Sequence, residues 1–350
     1  MKNQSPFEIS YANRETFLSM TSLYPEEFDH LLRFFRPLWY KFYKYRTTVG
    51  KRRKSKFYKY KKLTPTLPTV EDKLFFILVY MKSNPLQTFQ AVTFGLSQSR
   101  VSRWVSILQP LLTESLNQLN CLPLRSGFKL EQALNELQKQ IKDAAEKKAV
   151  EQEQPLSKKQ QKILDKPLTV NQDGMEQRVN RKLDNQAQKK EYSGKKKDHT
   201  YKNQVNCLDN QLILFFSHTY LGSVHDKKIA DQEGCTYPDD TRLRQDLGYQ
   251  GYTPSADNAV IIQPFKKPYN GELTTEQKWF NTYLGQRRIV VEHAISGCKR
   301  CRIIKERCRL SYRKRDEFAI TAAALHNFRV QSPLRAYDYH EKIEFTRVRA

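Results

Sequence analysis

The segment Gln286–Lys299 constrains the fold most, because its apolar residues recur at the spacing of one helical face. At about 100° per residue, they form one broad arc that consists of Val290, Val291, Ala294, Ile295, Cys298 and Cys301. Arg288, Glu292 and Lys299 form a polar stripe beside this arc. An ordinary surface Arg–Glu pair has the same spacing, although Arg before Glu is the less favourable order in a helix. The pattern predicts an amphipathic helix that packs on a core and holds a carboxylate between two cations at the edge of the packed face.

Length and charge limit the possible partners and compartments. The chain has 350 residues, of which 39% are hydrophobic, so two folded units with a sizeable core are expected. The chain has 61 Lys and Arg side chains but only 37 Asp and Glu. The resulting net charge of +24 attracts polyanions. No apolar run is long enough to cross a membrane, and the N-terminus lacks a charged and then apolar leader. These features predict a cytoplasmic, DNA-associated protein without a membrane partner, or a nuclear one if the host is a eukaryote.

The six cysteines are too sparse for a disulfide framework, which fits a reducing compartment. Cys298, Cys301 and Cys308 raise the alternative of a zinc site. No second Cys or His pair stands at ligand spacing, however, and Cys298 and Cys301 continue the apolar arc. We therefore predict that these cysteines pack in the core.

Residues 63–122 have the pattern of a helix-turn-helix domain. The predicted helices are Val70–Lys82, Leu86–Phe94 and a third that opens at Ser97 and runs to the region of Pro110. The third helix would expose basic and small polar side chains in its first turns, as a recognition helix does. These side chains are Gln98, Ser99, Arg100 and Arg103. Three-helix units without a DNA role are common, but the adjacent basic segment favours DNA binding through Arg100 and Arg103.

The N-terminal segment, residues 1–62, ends in a basic and aromatic stretch from Arg36 to Lys62. This stretch carries twelve basic, eight aromatic and no acidic side chains. Cations neutralise phosphates, and aromatic rings either stack on bases or pack the stretch against its own domain. A solvated basic linker is the alternative, but a linker has no need of so many rings. We predict a DNA-contacting arm whose candidate phosphate contacts are Lys51, Arg52, Arg53 and Lys54.

Two further segments lie outside the predicted domains. Residues 123–165 are rich in Lys, Glu and Gln and predict a solvated helix followed by a flexible connector near Pro155. Residues 331–350 are expected to form a C-terminal tail.

Residues 166–330 have the alternation of strands followed by helices. The predicted strands are Leu168–Asp173, His199–Cys207, Leu212–Phe216 and one that ends at Asp246, with a helix at Val224–Ala230 between the last two. The second and third strands form a hairpin. This order predicts an α/β domain with a mixed sheet and flanking helices.

Three carboxylates stand at predicted element ends: Asp173 and Asp246 after strands, and Glu292 on the terminal helix. Carboxylates that converge from separate elements suit a hard cation, since Mg²⁺ prefers oxygen ligands. Two such ions activate an attacking hydroxyl and stabilise the leaving oxygen of a phosphodiester. Asp173-Gly174 and Asp246-Leu-Gly are also ordinary turn sequences, so none of the three would be informative alone.

Six ordered motifs give the chain a specific resemblance. They are Asp173-Gly-Met-Glu176; Tyr192-Ser-Gly-Lys-Lys-Lys197 with His199-Thr-Tyr-Lys-Asn203; Gly222-Ser-Val-His-Asp226; Asp246-Leu-Gly-Tyr-Gln-Gly251; Arg288-x-x-x-Glu292 with Lys299; and His326-Asn-Phe-Arg329. Over roughly residues 63–330, the chain resembles the transposases of bacterial insertion sequences that have an Asp-Asp-Glu (DDE) triad, in the branch related to Harbinger elements. The resemblance implies a ribonuclease-H-like catalytic fold preceded by a helix-turn-helix, and transposition by DNA cleavage and strand transfer.

The resemblance also implies the site and its partners. Asp173, Asp246 and Glu292 would be the catalytic metal ligands, with two Mg²⁺ or Mn²⁺ ions as cofactors. The substrate would be double-stranded DNA, at the element's ends and at the target, and a homodimer is expected on DNA. The basic side chains of this domain that would contact DNA are Lys195, Lys196, Lys197, Arg288 and Lys299.

Three departures from the family pattern bear on these assignments. Met175 stands where relatives usually have Thr, and Gly285 stands where some related enzymes carry Tyr. Residues 241–245 are unusually polar for a strand that enters an active site. Asp226 is therefore a rival to Asp246 as the second ligand, because it too follows a strand and lies in a family motif.

Three functions share these sequence features. The first is an active Mg²⁺-dependent transposase. The second is a transposase-derived DNA-binding protein that has lost catalysis, and the third is a plain metal-dependent endonuclease without strand transfer. The intact carboxylates favour the first.

Overall fold

The computed structural model describes residues 5–47, 51–52, 67–151, 155, 157–254 and 259–335. These residues form two compact units. The first comprises the chain up to Leu122 with Gln177–Asn180 and Ser296–Arg335, and the second comprises Pro123–Glu176 and Arg181–Ile295. The helices are α1 (Pro6–Tyr11), α2 (Arg14–Thr21), α3 (Pro25–Tyr45), α4 (Val70–Ser83), α5 (Gln87–Thr93), α6 (Gln98–Gln118), α7 (Leu130–Glu151), α8 (Lys158–Leu164), α9 (Asn185–Glu191), α10 (Asp226–Glu233), α11 (Thr275–Lys299), α12 (Arg302–Lys305) and α13 (Tyr312–Val330). The strands are β1 (Thr169–Arg178), β2 (Tyr192–Ser193), β3 (Asp198–Leu208), β4 (Ile213–Phe216), β5 (Tyr220–Leu221), β6 (Arg242–Arg244) and β7 (Val260–Ile262).

The first unit contains α4, α5 and α6 in the order that the sequence predicts. A capping box starts α4, because the Asp72 N–H donates to the Thr69 hydroxyl and the Thr69 N–H donates to the Asp72 carboxylate, both at 3.1 Å. Asn84 ends α4 in the left-handed conformation. Gly95 adopts a φ of 60° in the turn between α5 and α6, where a side chain would be strained. The predicted three-helix pattern is confirmed.

The end of α6 differs from the prediction. The sequence predicts an end near Pro110, but the helix continues to Gln118. Pro110 has no N–H for the Ser106 carbonyl, yet both residues are exposed, so water can bond to that carbonyl. The buried face continues beyond the proline through Leu112 and Leu116, which are fully buried. Their packing outweighs the lost hydrogen bond.

The first residues of the predicted arm belong to α3. Trp39 and Tyr43 are buried, and the Trp39 ring lies 5.7 Å from the Trp104 ring of α6. These two rings therefore pack within their own unit, which is one of the two roles that the sequence left open for the aromatic residues.

The second unit is built on a mixed sheet. The strand order is β2-β3-β1-β6-β7, and β4 and β5 also pair with β3. β6 is parallel to both β1 and β7, whereas β3 is antiparallel to β2, β4 and β5. The predicted fold class is confirmed: a mixed α/β sheet with helices, preceded in the chain by an all-α domain.

Helix α7 contributes to the core of this second unit. Leu130 and Leu134 are fully buried among side chains of the sheet, such as Val170 and Phe215. The sequence predicts a solvated helix here, but only the later turns of α7 fit that description. The few apolar residues of a polar helix suffice to dock its first turns when they share one face.

Strand β1 is longer than predicted. The sequence ends it at the Asp173-Gly174 turn signal, but the strand continues to Arg178. Met175 is fully buried and Gln177 is 1% exposed, so packing of the residues after the pair holds the chain extended. Asp173 therefore lies within a strand and not after one.

The polar segment 241–245, which contains β6, is held by side-chain hydrogen bonds across the sheet. Gln245 donates to the Gln172 side chain at 2.5 Å and accepts from the Gln263 side chain at 2.8 Å. Leu243 supplies the apolar contact with the core. Because buried amides are tolerated when they are paired, this strand enters the site in spite of its composition.

Helix α11 contains the predicted helix and begins earlier, at Thr275. The predicted apolar arc is buried, and so is Cys308, as the core interpretation of these cysteines predicts. The other three cysteines are buried too. Cys301 lies beyond the helix end, where it precedes α12. Within the described ranges, no helix is both long and apolar enough to cross a membrane.

Candidate active site

The parallel pair β1 and β6 brings Asp173 and Asp246 together. Asn171 pairs with Arg244, and each aspartate lies two residues further along its chain. The Gly248 N–H donates to the Asp246 carboxylate at 2.8 Å, which fixes this side chain at the turn after β6. Burial and then the charge of Asp246 raise the pKa of Asp173 to about 6. The two carboxylates therefore form one electrostatic site.

Asp226 lies in the same cluster, at the first turn of α10. A Cβ atom at Gly174 would lie 3.3 Å from one Asp226 carboxylate oxygen, and a Cβ at Gly248 would lie 3.2 Å from the other. Glycine at these two positions lets the backbones beside Asp173 and Asp246 approach Asp226. Tyr249 is fully buried nearby, and burial followed by the charges of all three aspartates raises its pKa far above the ordinary value.

Basic side chains surround the three aspartates. Lys195 Nζ lies 3.6 Å from Asp246, and an Arg288 guanidinium nitrogen lies 3.7 Å from Asp173. Burial disfavours the charged form of Lys195, but Asp246 and the other nearby carboxylates outweigh burial and raise its pKa. Lys196 and Lys197 are exposed beside Lys195, between β2 and β3.

Sequence reasoning missed two charged residues of this cluster, Lys202 and Glu176. Lys202 Nζ lies 3.2 Å from Asp226 and 3.6 Å from Glu176, and all three side chains are less than 10% exposed. Lys202 stands in the middle of the predicted strand His199–Cys207, which has no acidic side chain. This position is a signal that would have identified Lys202, because a cation in a buried strand requires partners from other elements. Glu176 belongs to the Asp-Gly-Met-Glu motif but was not assigned a role.

Glu292 is the most exposed of the three predicted metal ligands. It is exposed on α11, and within the described residues no three His, Cys, Asp or Glu side chains form a group that could hold a metal ion. Arg288 lies one helical turn before Glu292 on the same face, and it contacts Asp173. Lys299 is half-buried at the end of the helix.

The remaining candidate residues lie on other surfaces. Arg100 and Arg103 are exposed in the first turns of α6, as the sequence predicts. Lys51 and Arg52 are exposed, whereas Arg53 and Lys54 lie outside the described residues.

The donor chemistry of Asp173 and Asp246 fits a divalent cation. The charge of Asp246 helps to raise the pKa of Asp173, so this half-buried pair of carboxylates lacks sufficient counter-charge. Oxygen ligands are those that Mg²⁺ and Mn²⁺ prefer. Glu292 fits by its position on α11, one helical turn after Arg288, which contacts Asp173.

We expect Lys202→Met to lower the free energy of unfolding by about 3 kcal/mol, because Asp226 and Glu176 would lose their buried counter-ion. Lys227→Met is the matched control. Its ammonium also pairs with an aspartate, Asp231 at 2.7 Å, but both side chains are more than a third exposed, so the loss should be under about 0.5 kcal/mol. Urea unfolding of both variants measures the difference, and equal stabilities would contradict the role given to Lys202.

Two segments of the chain match family models. Residues 172–327 match the model of the DDE superfamily endonuclease, and residues 65–118 match the helix-turn-helix of DDE superfamily endonuclease. Over 143 residues, the chain is 32% identical to a probable transposase for insertion sequence element IS702 from Microchaete diplosiphon. The alignment covers 41% of this chain and 51% of that protein, so the chain spans about half the length of the curated relative it matches. No solved structure matches the chain.

Proposed function

We propose that this chain, in which a helix-turn-helix domain precedes a DDE superfamily endonuclease domain, is the transposase of an insertion sequence. It would bind the ends of its element, cut the DNA and join the ends to a target. The observation that carries the proposal is the convergence of Asp173 and Asp246, from two parallel strands, inside the segment that matches the endonuclease model. The narrower relation to Harbinger elements stays a prediction.

The residues that would hold the metal ions are Asp173, Asp246 and Glu292. When bound, divalent ions supply an activated hydroxyl and stabilise the leaving oxygen of the phosphodiester. The structure favours Asp246 over Asp226 as the second ligand for an electrostatic reason. Asp226 is paired with the buried Lys202, whereas the nearest cation to Asp246 is Lys195, whose side chain is 58% exposed and free to move away.

Lys195 and Arg288 would position the DNA. Each holds a positive charge beside an aspartate, so a phosphate that approaches the site meets cations on both sides of it. Lys196, Lys197 and Lys299 would extend this contact along the backbone. An arginine guanidinium suits a phosphate especially well, because it presents several N–H donors in one plane.

A cleavage and joining assay tests the proposal. The substrate is a labelled duplex that carries the element's inverted terminal repeat, found by sequencing the DNA that flanks the gene, and the target is a plasmid. Cutting followed by joining in Mg²⁺ or Mn²⁺ is the expected result. Binding without cutting would favour a catalytically inactive DNA-binding protein, and cutting without joining would favour a plain endonuclease. Mass measurement of the complex would test whether a homodimer assembles on DNA.

We expect Arg100→Ala and Arg103→Ala to reduce discrimination between the terminal repeat and random DNA by about 1–3 kcal/mol, because arginines on a recognition helix contact base edges. Both side chains are exposed at the start of α6, so the substitutions remove no buried contact. Competition binding with specific and random duplexes at fixed salt measures the effect.

Neutralisation of Lys51, Arg52, Arg53 and Lys54 is the control for that experiment. Phosphate contacts act through counter-ion release, so this variant should bind all sequences more weakly and with a smaller salt dependence, while discrimination is unchanged. A loss of discrimination in this variant would assign sequence recognition to the basic segment. An equal loss of affinity for all sequences in Arg100→Ala and Arg103→Ala would assign phosphate contacts to α6.

A further inference from the structure

The first turns of α11 carry a row of exposed aromatic and basic side chains that the proposed chemistry does not use. Trp279 is 67% exposed and Tyr283 is 42% exposed. Their rings stack with centroids 5.6 Å apart and planes 10° apart, and the Arg287 guanidinium lies 5.4 Å from the Tyr283 ring. The three residues follow one another at intervals of one helical turn, so they form a continuous ladder, which we call the Trp279 ladder.

The exposure of this ladder is not explained by a loosely held helix. On the other side of α11, Asn281 accepts a hydrogen bond from the Phe265 N–H at 2.8 Å and donates to the Phe265 carbonyl at 3.0 Å. The Phe280 ring also contacts the Phe265 ring, with centroids 5.3 Å apart. These contacts join the first turns of α11 to the segment after β7, and Trp279 and Tyr283 face outward.

The charge around the ladder suits a polyanion. Residues 263–288 contain five basic and two acidic side chains, and one of the acids, Glu272, is paired with Lys278 at 3.0 Å. Arg287 holds its charge over the aromatic row, and the next residue, Arg288, contacts Asp173. The same helix therefore presents an aromatic, cationic surface and borders the candidate active site within one compact unit.

We propose that the Trp279 ladder binds unpaired bases of the DNA strand near the point of cleavage. Aromatic rings bind bases by stacking on their faces, and these faces are covered by neighbouring bases inside a duplex but are free in an unpaired strand. A guanidinium next to the rings adds a contact with a base or a phosphate. The identity of DNA as the ligand rests on the proposed function, but the binding itself requires no catalysis.

Tryptophan fluorescence tests this proposal with the full-length chain. The sequence has three tryptophans, and Trp39 and Trp104 are 1% and 5% exposed, so Trp279 supplies the solvent-accessible signal. In chelator, which prevents cleavage, a mixed-sequence single-stranded oligonucleotide should quench this emission, and a blunt duplex of the same sequence should quench it much less. Trp279→Phe should abolish the signal.

Affinity for the single strand should fall about tenfold in Trp279→Ala and in Tyr283→Ala, and Tyr283→Phe should bind as wild type does. Tyr269→Ala is the matched control, because Tyr269 is fully exposed in the same unit but outside the ladder, and its loss should change nothing. Unchanged affinity in both ladder variants, or equal quenching by single strand and duplex, would overturn the proposal. So would a change in Trp279 emission with protein concentration alone, since that would identify a second copy of the chain as the occupant.

The outcome separates this proposal from the proposed function. The ladder could bind single strands selectively in a chain that never cuts its element's ends. That result would support the single-strand binding site and contradict the proposed transposase activity. Normal cutting by a Trp279→Ala, Tyr283→Ala double variant that also binds single strands normally would do the reverse.

Discussion

We expect cleavage of the element's ends to fall about a thousandfold or more in Asp173→Asn and in Asp246→Asn, because each substitution would remove one anionic oxygen ligand from the proposed metal site. Glu292→Gln should have the same effect, because Glu292 is the third proposed metal ligand. Binding of the terminal repeat should persist, since the helix-turn-helix α4–α6 belongs to the other compact unit. Nicking of the labelled duplex measures the first effect, and a mobility-shift assay measures the second.

Asp231→Asn is the control for these substitutions. Asp231 lies on α10, as Asp226 does, but it is exposed and pairs with Lys227, so cleavage should be unchanged. Asp226→Asn should cause a smaller loss than Asp246→Asn, because Lys202 already neutralises Asp226. An inactive Asp226→Asn variant beside an active Asp246→Asn variant would make Asp226 the second ligand.

The elements that sequence reasoning predicted correctly have strong local signals. Helix α4 begins at a capping box, and α11 carries an apolar face at helical spacing that the structure buries. Such signals lie within a few turns of chain, so they can be read without knowledge of the fold. The polar signals were less reliable, because a turn sequence such as Asp173-Gly174 is overridden when its neighbours are buried.

The features that the sequence did not reveal depend on contacts between distant segments. Lys202 and Glu176 are assigned to the site only because β1, β3 and α10 place them around Asp226. Trp39 was expected in an arm, but its packing on Trp104 depends on the position of α6. Trp279 and Tyr283 are four residues apart, which is also the spacing of two residues on the buried face of a helix. Only the structure shows that their face is exposed.

The charge of Asp173 also makes the metal-free protein less stable as the pH rises. Burial and then Asp246 raise its pKa from 3.8 to about 6, so the folded state binds this proton more tightly than the unfolded state does. The stability contributed by the protonated carboxyl is fully present below the unfolded pKa and is lost as the pH rises through the folded value. A shift of this size corresponds to about 3 kcal/mol.

We therefore expect Asp173→Asn to unfold at a higher temperature than the wild type near neutral pH in chelator, and at about the same temperature near pH 4. Removal of divalent ions should stop cleavage completely, and Mg²⁺ or Mn²⁺ should restore it while raising the unfolding temperature of the wild type, because a ligand that binds only the folded state stabilises it. The same ions should raise the unfolding temperature of Asp173→Asn much less. Differential scanning calorimetry with and without each ion measures these shifts, and Asp231→Asn is the control that should respond as the wild type does. An equal shift in the wild type and in Asp173→Asn would place the ion away from Asp173, whatever its effect on cleavage.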